Sequence, residues 1–449
     1  MTGKDLLLST LRHEPTSAVP WVPFAGVHAG KLAGYHTEEL LKDADKLFES
    51  LLEVNRTYDP DGQPVLFDLQ LEAEILGCDL VWTESGPPTV ASHPLASDMT
   101  LPEDLPSPED GRMPLVLDVM RRMKEAVGDH TALYGLVTGP LTLASHLRGT
   151  DVFMDVFDHP DYLNDLLAYC RDVAILMAEM YLEAGMDIIA VVDPLVSQIS
   201  PRHFESLLSG PYIAIFDFIR ERGAYSSFFV CGDATKNMEV MCKTAPDSIS
   251  VDENIDLPSV KPITDQYNIT IGGNIPLTTR MLLGTQQDNM KFVVDLLDQI
   301  DTHNFILSPG CDMPYDVSVE NTVGALQAVR DPEGTRVMLK NYHEEALDLE
   351  AVILPDYQGL DKPLVEVFTL DSDTCAACGY MRDAAERATS ELEDVEMVEY
   401  KFTEKENVAR VVKMGVKNLP SIYINGELAY SSIIPSNREL VDEIKKRSQ

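Results

Sequence analysis

The chain has 449 residues, 45% of them hydrophobic and 24% charged, long enough for two or three domains with sizeable cores. Its 35 basic residues against 74 acidic ones leave a formal charge of −39. Such a surface repels nucleic acid and anionic lipid and reads as a solvated acidic exterior, with a basic protein partner as the alternative. No uninterrupted apolar run is long enough to span a bilayer. Met1-Thr2-Gly3-Lys4-Asp5 opens directly into a helical pattern and does not read as a secretory leader. The expectation is a cytoplasmic protein that engages neither membranes nor nucleic acid.

In chain order, eight short β-branched or aromatic runs stand out, at residues 19–25, 63–68, 132–139, 187–193, 226–232, 248–253, 269–275 and 305–310. Helical patterns separate them, for example at 161–185 and 290–300. Eight strand-then-helix units predict a (βα)8 TIM barrel. An open doubly wound sheet allows the same alternation. It is weakened because no glycine-rich dinucleotide fingerprint follows the first strand. The barrel is expected over 1–330, ending with a helix at 319–329. Residues 331–363 read as a helix (335–349) plus a linker punctuated by Pro332, Gly334, Pro355, Gly359 and Pro363.

A fresh α/β pattern begins at residue 364. A strand (364–370) leads into Cys375-Ala376-Ala377-Cys378 at the start of a helix running to Glu391. A strand (394–402), a helix (404–414), Leu419-Pro420-Ser421 ahead of another strand, and a closing helix (436–447) complete the pattern. A CxxC at a strand-to-helix junction places Cys375 at a helix N-terminus, where the dipole and free amides favour its thiolate. Cys378, one turn on, can resolve a mixed disulfide. Half a zinc site or two structural thiols are the alternatives, and the chain has no second CxxC for a zinc ribbon.

Seven cysteines in so long a chain do not suggest a disulfide framework. Cys78, Cys170 and Cys242 lie among apolar residues as ordinary buried thiols. The expected barrel strands end in Asp68, Asp193, Cys231, Asp252 with Glu253, Asn274, and Cys311 just past the last. Catalytic groups of such barrels collect at the C-terminal ends of the strands. Asp68, Asp193 and Asn274 are therefore candidate catalytic residues. For the two aspartates, capping the next helix is the equal alternative.

Residues 364–449 resemble the thioredoxin and glutaredoxin family in order of elements, CxxC position and proline position. The resemblance implies a redox role for Cys375 and Cys378, with Pro420 as the cis-proline beside them. Several blocks of residues 1–330 resemble the uroporphyrinogen decarboxylase superfamily. These are the opening Gly3-Lys4-Asp5-Leu6-Leu7, then Asp68-Leu69-Gln70-Leu71-Glu72-Ala73-Glu74, Gly139-Pro140-Leu141-Thr142, Asp193-Pro194, Cys231-Gly232, Asp252-Glu253, Gly272-Gly273-Asn274 and Ser308-Pro309-Gly310-Cys311.

Two chemistries compete within that superfamily. Its decarboxylases carry an arginine-rich motif after the first strand; here Phe24-Ala25-Gly26-Val27-His28-Ala29-Gly30-Lys31 has no arginine. Its corrinoid-dependent methyltransferases hold zinc through a His-x-Cys after the fifth strand and a cysteine after the eighth. Cys231 and Cys311 match both cysteines, while the histidine position is Phe229. A glutamate similarly placed in cobalamin-independent methionine synthase points to Glu253 as third ligand, with Asp252 as its neighbouring candidate.

The resemblance thus implies a zinc-dependent methyltransferase that exchanges a methyl group between a corrinoid and a thiol or other small methyl carrier. Methylcobalamin would be the free substrate, or a corrinoid protein the partner, since the chain contains no recognisable corrinoid-binding domain. A decarboxylase or lyase on the same barrel, or a thiol-disulfide oxidoreductase with a non-catalytic barrel, is the alternative. The methyl donor and acceptor and the oligomeric state are not set by the sequence.

Overall fold

The computed structural model describes all residues except 345, 346, 374, 393, 448 and 449. The chain forms two compact units, Met1–Tyr342 and His343–Gln449. Among the described residues no helix is long and apolar enough to cross a membrane.

The first unit is a curled parallel sheet of seven strands: β1 (Gly62–Pro64), β2 (Ala132–Thr138), β3 (Ile188–Val192), β4 (Tyr225–Val230), β5 (Ser248–Val251), β6 (Thr270–Ile275) and β7 (Phe305–Pro309). They lie side by side in chain order, each paired in parallel with the next. Both faces of the sheet are covered, so strands such as Ile188–Val192 are buried at every position. Alternate residues Ile188, Ala190 and Val192 point into the barrel, where they meet Val22, Phe24, Phe67, Tyr134, Leu136, Phe229 and Ile306. Leu7 and Leu11 of the first helix (Gly3–Leu11) pack into the same core. Thr2 and Asp5 close a capping box that starts this helix.

The expected strand at 19–25 is not a ladder strand. Trp21 makes a single parallel bridge to Leu307 of β7. Pro20 and Pro23 have no N–H to donate, so pairing cannot propagate on either side. The segment nevertheless bonds both edges of the sheet. Val22 N–H donates to Leu307 O (2.9 Å) and Leu307 N–H to Pro20 O (2.9 Å), while Asp61 N–H donates to Trp21 O (2.9 Å) just ahead of β1. The expected second strand is likewise shortened to Gly62–Pro64, and 65–68 leave the ladder. The helix expected at 335–349 runs only from Pro332 to Met338, and two residues of its remainder, 345 and 346, lie outside the described residues.

The second unit has a four-stranded sheet in the order β9-β8-β10-β11: β8 (Leu364–Thr369), β9 (Glu396–Lys401), β10 (Ser421–Ile424) and β11 (Glu427–Ser431). β8 pairs in parallel with β9 and antiparallel with β10, and β10 runs antiparallel to β11. The hairpin turn is Asn425-Gly426, both at positive φ, the dipeptide a type I′ turn favours. Helices Ala376–Ser390 and Asn437–Arg447 cover one face through Met381, Ala385, Leu440 and Ile444. Helix Lys405–Met414 covers the other through Val411 against Phe368 and Tyr423. The Leu419–Pro420 peptide is cis.

The stretch ahead of β8 belongs to this unit. Lys413 donates to the carbonyls of Leu349 (2.9 Å) and Val352 (2.6 Å), and Arg410 to that of Ile353 (3.1 Å). Tyr357 donates its hydroxyl to the buried Glu366 of β8 (3.2 Å). A fragment starting at Leu364 loses these contacts and leaves Glu366 short of its partner. It is expected to unfold with roughly 2–3 kcal/mol less stability than a fragment starting at His343. Urea titration of the two fragments checks this; equal midpoints would remove residues 343–363 from the folded unit.

Candidate functional site at the barrel mouth

The C-terminal ends of the strands gather a set of acids and thiols. Cys231 follows β4 and Cys311 follows β7, three strands away round the barrel, yet their Sγ atoms meet at 2.7 Å. Both are half-buried free cysteines. The hydrogen bond shared with Cys311, then burial, then the charges of Cys311, Asp252 and Glu253, push the Cys231 thiol well above its ordinary value. Residues 229 and 231 lie on one face of their strand. Phe229 therefore points the same way and forms the floor beneath the sulfurs, its ring 4.9 Å from Phe24 and 5.8 Å from Phe67. The Cys231 turn demands Gly232, at φ +85°, where a Cβ would also sit 2.7 Å from Ser197 Oγ.

Asp252 accepts from the Gly232 amide (2.5 Å) and from Asn254 N–H (2.9 Å), so it holds the turn that follows Cys231. Burial raises its carboxyl to about 6. Glu253 accepts from the Leu277 amide (3.1 Å), and its Oε2 lies where a Cβ on Gly310, next to Cys311, would be 2.6 Å away. Burial and then Asp252 push it up to about 8. Asp312, which sequence reasoning passed over, accepts from the Gly26 amide (2.7 Å), and burial raises it to about 8. The signal for Asp312 was present: an acid directly after a strand-end cysteine.

The three expected catalytic residues are each bonded to the scaffold around this centre, and Asp68 lies near enough to Asp312 to raise it. Asn274 sits within β6 and donates to the carbonyls of Asp252 (2.9 Å) and Ile255 (2.8 Å), fixing the turn that carries Glu253. Asp193 is fully buried and receives four donors: Leu141 N–H (2.9 Å), Thr142 N–H (3.0 Å), Thr142 hydroxyl (2.6 Å) and Tyr212 hydroxyl (2.6 Å). It thereby anchors the start of helix Pro140–Arg148, a capping role across two strands rather than within its own loop. Asp68 is buried against Arg112 (2.7 Å), which also binds Glu74 (2.6 Å) and lies over the Trp82 ring.

Among the described residues no three His, Cys, Asp or Glu groups converge as a ready metal cluster. Cys231 and Cys311 meet, while Glu253 is held at Leu277 and Gly310. The chemistry of the donor set nevertheless fits a soft divalent cation. It offers two thiols and two adjacent carboxyls, both raised chiefly by burial, and among the described residues no Lys, Arg or His bonds any of the four.

In the second unit Cys375 is the N-cap of helix Ala376–Ser390, and its Sγ accepts from Cys378 N–H (3.4 Å). Cys375 is half-buried; Cys378 is buried, and its thiol is pushed well above the ordinary value by that burial. Pro420 precedes β10, the strand antiparallel to β8.

Deeper in the barrel, Glu72 accepts from Thr138 N–H (2.9 Å) and Thr138 hydroxyl (2.8 Å), and burial lifts its carboxyl to about 7. A glutamate in the unfolded chain titrates near ~4.3. The folded chain therefore keeps a proton that the unfolded chain releases. The stabilisation is full below the unfolded value and is lost as pH rises through 7. Glu72→Gln keeps the acceptor for Thr138 N–H, and Thr138 Oγ1 remains bonded to Leu69 O. The variant should match the wild type near pH 5 and exceed its stability by about 1–3 kcal/mol above pH 8. Thermal melts across that range check it; parallel curves at all pH values would sink the assignment.

The uroporphyrinogen decarboxylase family model matches residues 2–332, and a thioredoxin domain model matches residues 364–445. A methylcobamide:CoM methyltransferase of Methanosarcina acetivorans is 30% identical over 320 residues, 69% of this chain and 92% of that protein. Its counterpart from Methanosarcina mazei is 28% identical over 64% of this chain and 86% of that protein. The solved structure of a methyltransferase from Methanosarcina mazei superposes with a TM-score of 0.67 at 24% identity, covering 74% of this chain and 99% of that one. The chain belongs to the uroporphyrinogen decarboxylase family, close to its methylcobamide:CoM methyltransferases, and carries a C-terminal thioredoxin domain.

Proposed function

We propose that this chain transfers a methyl group between a corrinoid and a small thiol at the barrel mouth, with zinc held by Cys231, Cys311 and Glu253. The observation that carries the reading is the meeting of Cys231 and Cys311 at 2.7 Å beside two carboxyls, with no cationic side chain bonded to them among the described residues. Relatives named for methylcobamide:CoM methyl transfer support the corrinoid as the methyl carrier. It would be free methylcobalamin or a cytoplasmic corrinoid protein as partner.

Zinc bound there would keep an incoming thiol deprotonated yet nucleophilic. The two cysteines, as thiolates, supply soft donors, and Glu253 reaches them by leaving the Leu277 amide. Asp252 and Asn274 hold the 252–255 turn, so the Glu253 backbone stays fixed while its carboxyl moves. Phe229, Phe24 and Phe67 keep water from entering beneath the sulfurs. With Phe229 in place of a neutral imidazole, three anionic donors leave the centre less electrophilic. That favours transfer to or from a good nucleophile over water activation.

A decarboxylase acting on a many-carboxylate substrate is poorly served here. Residues 24–31 hold no arginine, His28 is engaged by Tyr315 O (3.0 Å) and Tyr58 hydroxyl (2.6 Å), and the mouth presents acids. The thioredoxin domain supports a thiol-disulfide role for Cys375 as attacking thiol and Cys378 as resolving thiol, with Pro420 beside them.

Metal analysis with a methylcobalamin demethylation assay tests the reading. Reduced wild type should carry about one zinc per chain, and Cys231→Ala or Cys311→Ala should lose zinc and activity together. Glu253→Gln should weaken zinc affinity at least about tenfold, and Cys375→Ala should leave zinc unchanged. A reduced wild type without zinc, or Cys311→Ala with metal and activity intact, overturns it.

A further inference from the structure

Cys231 and Cys311 are each other's sulfur partners. The carboxyls beside them are spent on amides, Asp252 on Gly232 and Asn254 and Glu253 on Leu277. The separation of 2.7 Å lies between two stable spacings. Two thiolates on one tetrahedral zinc stand about 3.7 Å apart, and a disulfide closes to about 2.05 Å. The pair is thus in direct sulfur contact, within reach of either arrangement. It is also half-buried rather than sealed, whereas Cys78, Cys170 and Cys242 are buried in the fold. Two strands far apart round the sheet deliver these sulfurs to one point. Each cysteine has a glycine on one side, Gly232 after Cys231 and Gly310 before Cys311, with Val230 and Asp312 on the other. The same chain carries a second pair, Cys375 at a helix start and Cys378 buried one turn behind it, a dithiol arranged for exchange.

We infer that Cys231 and Cys311 form a reversible dithiol–disulfide couple, and that the Cys375–Cys378 dithiol is its reductant. The inference stands whether or not the mouth binds zinc. With hydrogen peroxide as the oxidant, one sulfur of the pair attacks a peroxide oxygen, giving a sulfenic acid and one water. The other thiol attacks that sulfur, the S–S bond forms, and a second water leaves. The pair has lost two electrons and two protons. In the return direction the Cys375 thiolate attacks one sulfur of the bond. The other sulfur departs as a thiolate and takes up a proton. The Cys378 thiolate then attacks Cys375 Sγ, releasing the second barrel thiolate, which is protonated in turn. The CxxC is left oxidised, and an external dithiol restores it. While the barrel disulfide exists, neither sulfur is an anion, and the mouth can offer no thiolate to a metal or a methyl group.

The test uses full-length protein, reduced and stripped with EDTA so that the metal reading does not decide the outcome. After equimolar hydrogen peroxide, free thiols are alkylated and the protein is digested without reduction. A peptide joining Cys231 to Cys311 is expected. The oxidised protein is then given limiting dithiothreitol. Recovery of the two barrel thiols should be at least about tenfold slower in Cys375→Ser than in wild type. Cys378→Ser should accumulate a disulfide between Cys375 and Cys231 or Cys311, within one chain or between two. Peroxide that yields only sulfinic acid at either barrel cysteine overturns the couple. A joined peptide that Cys375→Ser re-reduces as fast as wild type, with no mixed disulfide in Cys378→Ser, overturns the assigned reductant.

Discussion

The barrel mouth exists because a few residues of backbone close the sheet. Pro20–Val22 pairs with β7 on one side and receives the Asp61 amide ahead of β1 on the other. This joins the two edges of a seven-stranded sheet that would otherwise lie open. Arg330 reinforces the seam, since Asp61 accepts from the Trp21 amide (2.7 Å) and from Arg330 (2.8 Å). Curvature then does what sequence separation cannot. Cys231 and Cys311, 80 residues apart, share a hydrogen bond. The side chains at the strand ends owe their positions to that closure, including Asp193, whose four donors come from the neighbouring strand's helix and from Tyr212.

The mouth is also an electrostatic problem left unsolved by the protein alone. Cys231, Asp252, Glu253 and Asp312 all have raised proton affinity, the thiol chiefly through its hydrogen bond with Cys311 and then burial, the three acids chiefly through burial. Elsewhere buried acids are met by cations, as Asp68 is by Arg112 and Asp155 by Arg148, or by several neutral donors, as Asp193 is. Here protons stand in for the missing countercharge. A site in that condition responds to whatever next neutralises it, whether a divalent ion or the withdrawal of two sulfurs into a covalent bond.

Much of this was legible in the sequence, and the residues it missed have specific causes. The alternation of β-branched runs with helical stretches located the seven ladder strands, since parallel strands buried on both faces are dense in Val, Ile and Phe. Residues 19–25 carried the same composition, but two prolines limited their pairing to one bridge. β11 went unread although Asn425-Gly426 marks its turn. The helix expected to 349 ends at Met338, and the carbonyls of Leu349, Val352 and Ile353 are bonded by Lys413 and Arg410 instead, a tertiary preference no local pattern records. At the site, cysteines and carboxylates could be picked out by position. Whether Asp193 or Asn274 faces the cavity or the scaffold could not, since strand-end polar residues serve both ends. Arg112 had no local signal, because its partners Asp68 and Glu74 lie about forty residues upstream.

Phe229 has a bearing on how this barrel can change over evolutionary time. Its ring is wedged against Phe24 and Phe67, and Phe24 in turn packs edge-on to Tyr134. An imidazole restored at that one position would be smaller, leaving a void among three rings. It would also bury two polar nitrogens in an apolar floor. A histidine at position 229 therefore requires its aromatic neighbours to change with it. The aromatic floor thus couples the choice of residue at 229 to Phe24, Phe67 and Tyr134, and leaves the polar side of the mouth to sulfur and carboxylate.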